Sequence, residues 1–119
     1  MIIVDNESVI FCDVDDTLIM WGKEKDRIEV IEPLYGEPTL VTPHKGHIKI
    51  LKDRKARGSK IIVWSSGGYR WAAAVVKALN LEEYVDFVMT NPIAYIDDKE
   101  PYDIMGQRIY LPFDEGYGK

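Results

Sequence analysis

Residues 9–17 read Val-Ile-Phe-Cys-Asp-Val-Asp-Asp-Thr, an apolar run that is followed at once by three aspartates. A strand buried in a parallel sheet is continuously apolar, so this run predicts a central strand that ends near Asp13. Open α/β sheets bind their ligands just beyond the carboxyl ends of the strands. Asp13 and Asp15 therefore fall where such a sheet is expected to hold a ligand.

Asp13 and Asp15 lie two residues apart beside a turn, where their like charges repel unless a cation or a shared proton relieves them. Mg²⁺ suits hard oxygen ligands and keeps several water molecules that a phosphate can replace. A solvated acidic turn of the Asx type is the alternative interpretation. That turn explains neither the apolar run before the aspartates nor Thr17 after them, so the pattern favours a magnesium site.

Residues 13–17 closely resemble motif I of the haloacid dehalogenase (HAD) superfamily, which is an apolar strand followed by Asp-x-Asp-x-Thr. The resemblance implies a three-layer, Rossmann-like α/β fold and a Mg²⁺-dependent phosphomonoester hydrolase that forms an aspartyl-phosphate intermediate. It implies that Asp13 is the nucleophile and that Asp15 is a general acid and then a general base. It also implies that Asp13 and the backbone carbonyl of Asp15 hold the Mg²⁺. A carboxylate attacks a phosphoryl group only when the charge on both is neutralised, which a metal ion does.

Lys60–Trp64 predicts a second core strand, which ends in Ser65-Ser66-Gly67-Gly68 before a helix that begins near Tyr69. A hydroxyl and successive backbone N–H groups between a strand end and a helix N-terminus make a phosphate site, although serine and glycine also form ordinary tight turns. The order resembles HAD motif II. The resemblance implies that Ser65 binds the transferring phosphoryl oxygens, with Ser66 beside it.

Val85–Met89 predicts a third core strand and Ile93–Ile96 a fourth, which ends in paired aspartates. This arrangement resembles HAD motif IV, whose acidic side chains complete the metal shell. The resemblance implies that Asp98 contacts the metal directly and that Asp97 is its partner.

The chain departs from the family at motif III, where a lysine commonly precedes a proline and the sequence instead has Asn91-Pro92. Asn91 can donate a hydrogen bond to phosphate, but it carries no charge, and losing a cation weakens transition-state stabilisation. Lys99 and Lys77 are the residues considered as replacements. Two functions therefore stay open, a phosphatase and a weakened or inactive module that binds Mg²⁺ and phosphate.

Residues 18–42 predict a β-hairpin flap between the first strand and the first long helix. Ile28–Ile31 alternates in polarity as a half-exposed strand does, and Thr39–Val41 follows after two prolines and a turn as the returning strand. In HAD members without a cap domain, such a flap shapes the substrate entrance. Specificity then depends on Trp21 and Tyr35, unless both rings only pack the hairpin onto the body.

Thr42-Pro43 predicts a helix start, with threonine as N-cap and proline at the first helical position, and Gly58 predicts the helix end. His44 and His47 share one face of this helix, but no third ligand with suitable spacing accompanies them. We therefore expect surface or flap contacts rather than a metal. The basic cluster between Lys52 and Lys60 predicts a solvated helix end, and nucleic-acid binding is the alternative interpretation.

The bulk properties predict one domain over residues 1–119 with no large cap. A content of 46% hydrophobic residues and a net charge of -5 are typical of a globular protein and disfavour nucleic-acid binding through the whole surface. We expect a phosphorylated substrate, with nucleic acid only in that role, and no membrane association. Cys12 is the single cysteine, which excludes an intramolecular disulfide and fits a reducing cytoplasm.

Overall fold

The structure is a computed structural model that describes residues 1, 3, 7–34 and 36–113. Tyr35, which was expected to help shape the substrate entrance, lies outside the described residues. The described helices and strands follow in the order β1 (Val9–Asp13), β2 (Ile19–Met20), β3 (Ile28–Ile31), β4 (Pro38–Pro43), α1 (Lys45–Ala56), β5 (Lys60–Ser65), α2 (Tyr69–Ala78), β6 (Phe87–Thr90) and α3 (Pro101–Ile104). No helix among these residues is long and apolar enough to cross a membrane.

Three strands form a parallel sheet in the order β1-β5-β6. Asp13 is level with Trp64, and Ser65 is level with Thr90, so the three strands end at one common edge. Helices α1 and α2, which connect the strands, both contact β5. The predicted α/β class with a parallel sheet is confirmed, and the common edge brings the ends of β1 and β5 together.

A second, antiparallel sheet has the order β2-β4-β3 and contains the predicted flap. Ile28 pairs with Val41 and Ile31 pairs with Pro38, which confirms the hairpin. The short strand β2 was not predicted, because two apolar residues after a turn carry no periodic signal. Its pairing with Pro43 and Thr42 ties the flap to the segment that directly follows the aspartates.

The predicted start of α1 is wrong by two residues. Thr42 belongs to β4, and its hydroxyl donates to the carbonyl of Lys25 at 3.0 Å instead of capping a helix. The N-cap is His44, whose side chain accepts a hydrogen bond from the backbone N–H of His47. Proline suits the end of a strand as well as the start of a helix, so the local pattern did not separate the two.

Helix α1 ends as predicted, with Gly58 in the left-handed conformation at φ 98° that glycine adopts without strain. The N–H of Gly58 donates to the carbonyl of Lys55, and the N–H of Ser59 donates to that of Arg54. These two bonds satisfy carbonyls that the helix end would otherwise leave unpaired. The chain then turns directly into β5, which fixes where the second core strand begins.

The fourth strand predicted at residues 93–96 is wrong for this structure. No strand is present there, and the side chains of Ile93 and Ile96 are fully exposed. A four-residue apolar run has no period that distinguishes a strand from an irregular segment, and Pro92 removes a backbone donor just before it. As a result, β1 is an edge strand of the described sheet.

The core lies between the parallel sheet, α2 and the flap, and side chains from all three contribute to it. The fully buried residues of largest volume are Leu18, Ile19, Ile61, Leu81, Val14, Val30, Val41, Val63, Val75 and Ser65. Burying one such aliphatic side chain stabilises the fold by about 1.5–3 kcal/mol. Val14 and Leu18 thus anchor the segment between β1 and the flap.

Asp86 joins three elements on the side of the sheet away from the strand ends. Its carboxylate accepts hydrogen bonds from Lys55 Nζ at 2.7 and 2.8 Å and from the backbone N–H of Ile61 at 2.8 Å. Burial alone raises the pKa of Asp86, but these hydrogen bonds and the charges of Lys55 and Lys60 lower it overall. The carboxylate therefore stabilises the packing of α1 on β5 in its ionised form.

We expect Asp86→Asn to lower the free energy of unfolding by about 2 kcal/mol, because it removes charge-assisted hydrogen bonds and leaves Lys55 without its partner. Urea unfolding monitored by circular dichroism measures the change. The matched control is Asp53→Asn, which removes an exposed ion pair to Lys49 and should alter stability by no more than about 0.5 kcal/mol. Equal losses in the two variants would contradict the structural role of Asp86.

Candidate functional site

The turn after β1 is built around the buried residue Val14. Its side chain has 0% exposure, and its carbonyl accepts the N–H groups of Thr17, Leu18 and Ile19 at 3.2, 2.9 and 3.2 Å. Asp16 occupies the left-handed region at φ 57°, which aspartate tolerates better than most residues. The turn places Asp13 and Asp15 in half-exposed positions at the carboxyl edge of the sheet.

Asp13 is the last residue of β1 and lies beside few groups that stabilise its charge. The hydroxyl of Thr17 donates to Asp13 Oδ2 at 3.1 Å. Burial raises the pKa of Asp13, and the charges of Asp15 and Asp16 raise it further, while hydrogen bonds from Thr17 and the Val14 backbone oppose the shift. A cation bound at this point would offset both causes of the increase.

Asp15 is held by three side chains from three different elements. The indole N–H groups of Trp21 and Trp71 both donate to Oδ1, at 2.9 and 3.0 Å, and the hydroxyl of Ser65 donates to Oδ2 at 3.2 Å. The two indole rings stack with centroids 5.8 Å apart and planes inclined by 24°. The flap, α2 and β5 thus converge on one carboxylate.

Sequence reasoning missed the contact of both tryptophans with Asp15. Trp71 belongs to the apolar stripe of α2, and its ring does pack against the core. The available signal was that a buried indole needs an acceptor for its N–H, and that the first turn of α2 follows the predicted phosphate loop. Which acceptor it meets depends on the order of the strands.

Ser65 is fully buried at the end of β5, and its hydroxyl contacts protein groups. Its hydroxyl oxygen accepts the N–H of Gly67 at 3.0 Å, and its carbonyl accepts the N–H groups of Gly68 and Asn91 at 3.2 and 3.0 Å. Ser66 is exposed next to it, where a ligand can reach its hydroxyl. The structure brings Ser65 together with Asp15, and it places Ser66 at the adjoining surface.

Asn91 directly follows β6 and lies beside Ser65 at the same edge. Its side-chain oxygen Oδ1 is buried and has no hydrogen-bond partner among the described residues. A buried amide oxygen without a donor costs about 1–3 kcal/mol, so this atom favours a ligand that brings an O–H or N–H group. Neutral Asn91 therefore occupies a place in the site without adding charge to it.

Asp97 and Asp98 are exposed on the segment that was predicted to be a strand. The side chain of Asp97 accepts the N–H of Lys99 at 3.0 Å, which is a local turn contact. Across the described ranges, no three His, Cys, Asp or Glu side chains come together as a metal-binding group. The predicted set of four aspartates is therefore not assembled, because the strand that was to deliver Asp97 and Asp98 is absent.

The remaining pair, Asp13 and Asp15, still fits a magnesium ion. Mg²⁺ is commonly held in proteins by one or two carboxylates together with water molecules and substrate phosphates. Burial disfavours the charge of Asp13, and the neighbouring aspartates disfavour it further. Both features suit coordination of a hard cation.

Neither of the lysines considered as replacements for the missing cation pairs with the two aspartates. Lys77 lies in the last turn of α2, eight residues after Tyr69, which is about 12 Å along the helix from the end that meets the site. Lys99 is exposed on the segment that follows Pro92. Within the described part of the chain, neither aspartate forms an ion pair with a lysine or arginine.

His44 and His47 are buried rather than superficial, and their rings stack with centroids 3.7 Å apart. His47 Nδ1 lies 2.7 Å from the Thr17 carbonyl, and His47 Nε2 accepts the N–H of Leu111 at 2.8 Å. His44 Nδ1 accepts the N–H of His47, and His44 Nε2 lies 3.0 Å from the Leu111 carbonyl. All four ring nitrogens have protein partners. The expected surface or flap contacts are wrong, because both rings are buried between Thr17 and Leu111.

Comparisons of this chain with models of known protein families, with curated proteins and with solved structures found no match.

We expect stability to fall as the pH decreases below about 6.5. Burial lowers the pKa of His47 and the charge of His44 lowers it further, although the hydrogen bond to the Thr17 carbonyl raises it. Because the unfolded chain then binds the proton more readily, the stabilisation is complete above the ordinary value of 6.5 and is lost as the pH falls through the folded value. Urea unfolding between pH 8 and pH 5 measures this dependence.

The control is His47→Gln, which removes the titrating group. Its stability should depend less steeply on pH over the same interval, whatever its absolute stability. Parallel curves for the two proteins would show that His47 does not cause the dependence.

Proposed function

We propose that this protein is a Mg²⁺-dependent phosphomonoester hydrolase of the HAD type, with Asp13 as the nucleophile. The observation that carries the proposal is the hydrogen bond between Ser65 and Asp15, which joins the ends of β1 and β5. Asp13, Asp15 and the loop of Ser66 thus lie at one edge of a parallel sheet, where ligands of such folds bind, and this arrangement supports the proposal. The resemblance of residues 13–17 to motif I supports the same chemistry.

In the first step, Asp13 Oδ1 attacks phosphorus, an Asp13–phosphate bond forms, and the bond from phosphorus to the leaving oxygen breaks. Asp15 gives its proton to that oxygen, so the product is an alcohol. In the second step Asp15 takes a proton from water, and the resulting hydroxide displaces Asp13 from phosphorus, which releases inorganic phosphate. This sequence splits one difficult displacement into two easier ones.

Bound Mg²⁺ supplies the positive charge that lets an anionic carboxylate approach an anionic phosphoryl group. Asp13 and Asp15 would hold it. Thr17 keeps Asp13 oriented through Oδ2, and the two tryptophans keep Asp15 oriented through Oδ1.

Ser65 lets Asp15 change its protonation state without losing its contact. A serine hydroxyl can donate or accept, and its hydrogen rotates to suit. When Asp15 is ionised, Ser65 donates to Oδ2, and when Asp15 is protonated at Oδ2, the carboxylic acid donates to Ser65. The 3.2 Å contact is therefore compatible with both protonation states of Asp15.

A binding module for Mg²⁺ and phosphate is the second candidate, and Asn91 favours it. The family position that normally holds a lysine here holds a neutral side chain, and its Oδ1 lacks a donor. Without that cation, the negative charge that develops in the transition state is less stabilised, so the site can bind phosphate without turning it over. Turnover, rather than metal affinity, distinguishes the two functions.

We expect Mg²⁺-dependent hydrolysis of an aryl phosphate, which Asp13→Asn abolishes because an amide cannot act as the nucleophile. Asn91→Lys should raise kcat/KM about tenfold or more, which corresponds to roughly 1.4 kcal/mol of added transition-state stabilisation. Release of the aryl alcohol in the presence of Mg²⁺ or EDTA measures both effects. Glu82→Gln, an exposed change in the turn after α2, is the control and should leave the rate unchanged.

Activity only in Asn91→Lys would favour a phosphatase scaffold disabled at one position. Activity that survives Asp13→Asn would contradict the proposed nucleophile. If no variant hydrolyses the aryl phosphate but the protein binds orthophosphate in the presence of Mg²⁺, the binding module would be favoured.

Trp71→Phe tests whether the indole N–H positions Asp15, because phenylalanine keeps an aromatic ring and removes only the donor. We expect kcat for the aryl phosphate to fall about tenfold, the effect of one hydrogen bond to a charged group, with KM little changed. Trp71→Leu, which also removes the ring, should in addition lower the melting temperature. An unchanged kcat in Trp71→Phe would assign Trp71 to packing alone.

A further inference from the structure

A cavity of about 480 Å³ runs along the open edge of β1. Its walls come from β1, from one side of α1 and from residues 105–110, and Asp13 and Thr17 lie at one end. From Asp13 back to Val9 the strand spans about 13 Å. A smaller depression continues beyond Arg54 to Arg57 along α1. A ligand whose phosphate meets Asp13 can therefore extend well beyond the reacting atoms.

Three arginines line this path, which is unusual for a chain with a net charge of -5. Arg54 and Arg108 line the cavity, and Arg57 lines the depression. None of the three forms an ion pair with a described residue, whereas Lys49, Lys55 and Lys60 all do.

Acidic groups along the path are few. Asp13 lies at the far end of the cavity, and Asp53 in the depression is paired with Lys49 at 3.0 Å. The Arg108 guanidinium lies 5.1 Å from the centre of the Tyr110 ring. The unpaired cations thus outnumber the unpaired carboxylates and fit a ligand with several negative charges.

Aromatic rings are interleaved with these cations. Phe11 stacks on Trp64 with ring centroids 4.4 Å apart, and 41% of Phe11 is exposed. Tyr110, which is also partly exposed, lies on the opposite wall. Exposed rings beside a positively charged groove are the features that bind single-stranded nucleic acids, because bases stack on the rings while phosphates meet the cations.

We propose that this groove binds a single-stranded oligonucleotide whose terminal phosphate is the substrate at Asp13. The inference rests on the proposed function for the identity of that reacting group. The phosphodiester groups nearer the interior of the strand contact Arg54, Arg57 and Arg108, and the bases stack against Phe11. The stretch from Val9 to Asp13 spans several nucleotides at about 3.4 Å per stacked nucleotide.

Binding is tested separately from turnover, by fluorescence anisotropy in EDTA. The probes are labelled oligothymidylates of six residues with a phosphate at the 5′ or the 3′ end. We expect Arg54→Gln combined with Arg57→Gln to weaken binding at least tenfold and to make the logarithmic salt dependence shallower by about 0.7 per arginine. Lys45→Gln combined with Lys52→Gln, on the same helix but outside both cavities, is the charge-matched control and should change affinity less than twofold.

An abasic strand with the same phosphates tests the contribution of the rings. It should bind at least tenfold more weakly than the oligothymidylate, and Phe11→Leu should reduce that difference. Equal binding of the two strands would show that the groove selects polyanions in general, and would overturn the assignment to nucleic acid. Affinity unaffected by the arginine changes would overturn the groove as the site.

Turnover of the same oligonucleotides with Mg²⁺ then separates this inference from the proposed function. Hydrolysis of the aryl phosphate without arginine-dependent oligonucleotide binding contradicts the groove and leaves the phosphatase intact. Arginine-dependent binding without hydrolysis of any phosphate supports the groove and contradicts the phosphatase. We expect kcat/KM for the phosphorylated hexanucleotide to exceed that for the aryl phosphate at least tenfold, and Arg54→Gln to reduce that ratio.

Discussion

The burial of Val14 is the constraint on which the rest of the candidate site depends. Its side chain is fully removed from solvent, and its carbonyl accepts three successive N–H groups of the following turn. Because the residue between the two aspartates is committed to the core, Asp13 and Asp15 are directed to the edge of the sheet despite their mutual repulsion. The same turn carries Leu18 into the core and begins the flap, so the flap and the carboxylates share one anchor.

A shortage of positive charge defines the chemistry of this edge. Asp13 loses solvation by burial and faces two other aspartates, and the donors around Asp15 are two indole N–H groups and a hydroxyl, all of them neutral. The partly buried lysines, Lys55 and Lys60, are instead bound to Asp86 near the opposite end of β5. The proposed phosphate chemistry at Asp13 would therefore depend on a bound cation, and the neutral side chain of Asn91 does not supply that charge.

The local sequence pattern predicted the secondary structure correctly where its periodicity or its turn residues were unambiguous. The alternating strand at Ile28–Ile31 and glycine in the left-handed position after α1 both predicted structure that is present. The apolar run of β1 correctly predicted a strand, but that strand lies at the edge of the described sheet and not at its centre. Prediction failed where a short signal had two physical explanations. Thr42-Pro43 suits a strand end as well as a helix start, and pairing with β2 selected the strand. The apolar run at residues 93–96 was read as a strand because of its neighbours, and it pairs with nothing in the described sheet.

The sequence by itself determined that an apolar strand delivers Asp13 and Asp15 to a turn, since hydrophobic burial and strand periodicity act over a few adjacent residues. Only the tertiary structure decided which groups meet those carboxylates. Trp71 and Ser65 reach Asp15 from 56 and 50 residues away because β5 pairs beside β1 and α2 follows it. Asp97 is separated from the site for the same kind of reason, because the segment before it does not join the sheet. Contacts between distant residues depend on strand order and packing, which no local pattern encodes.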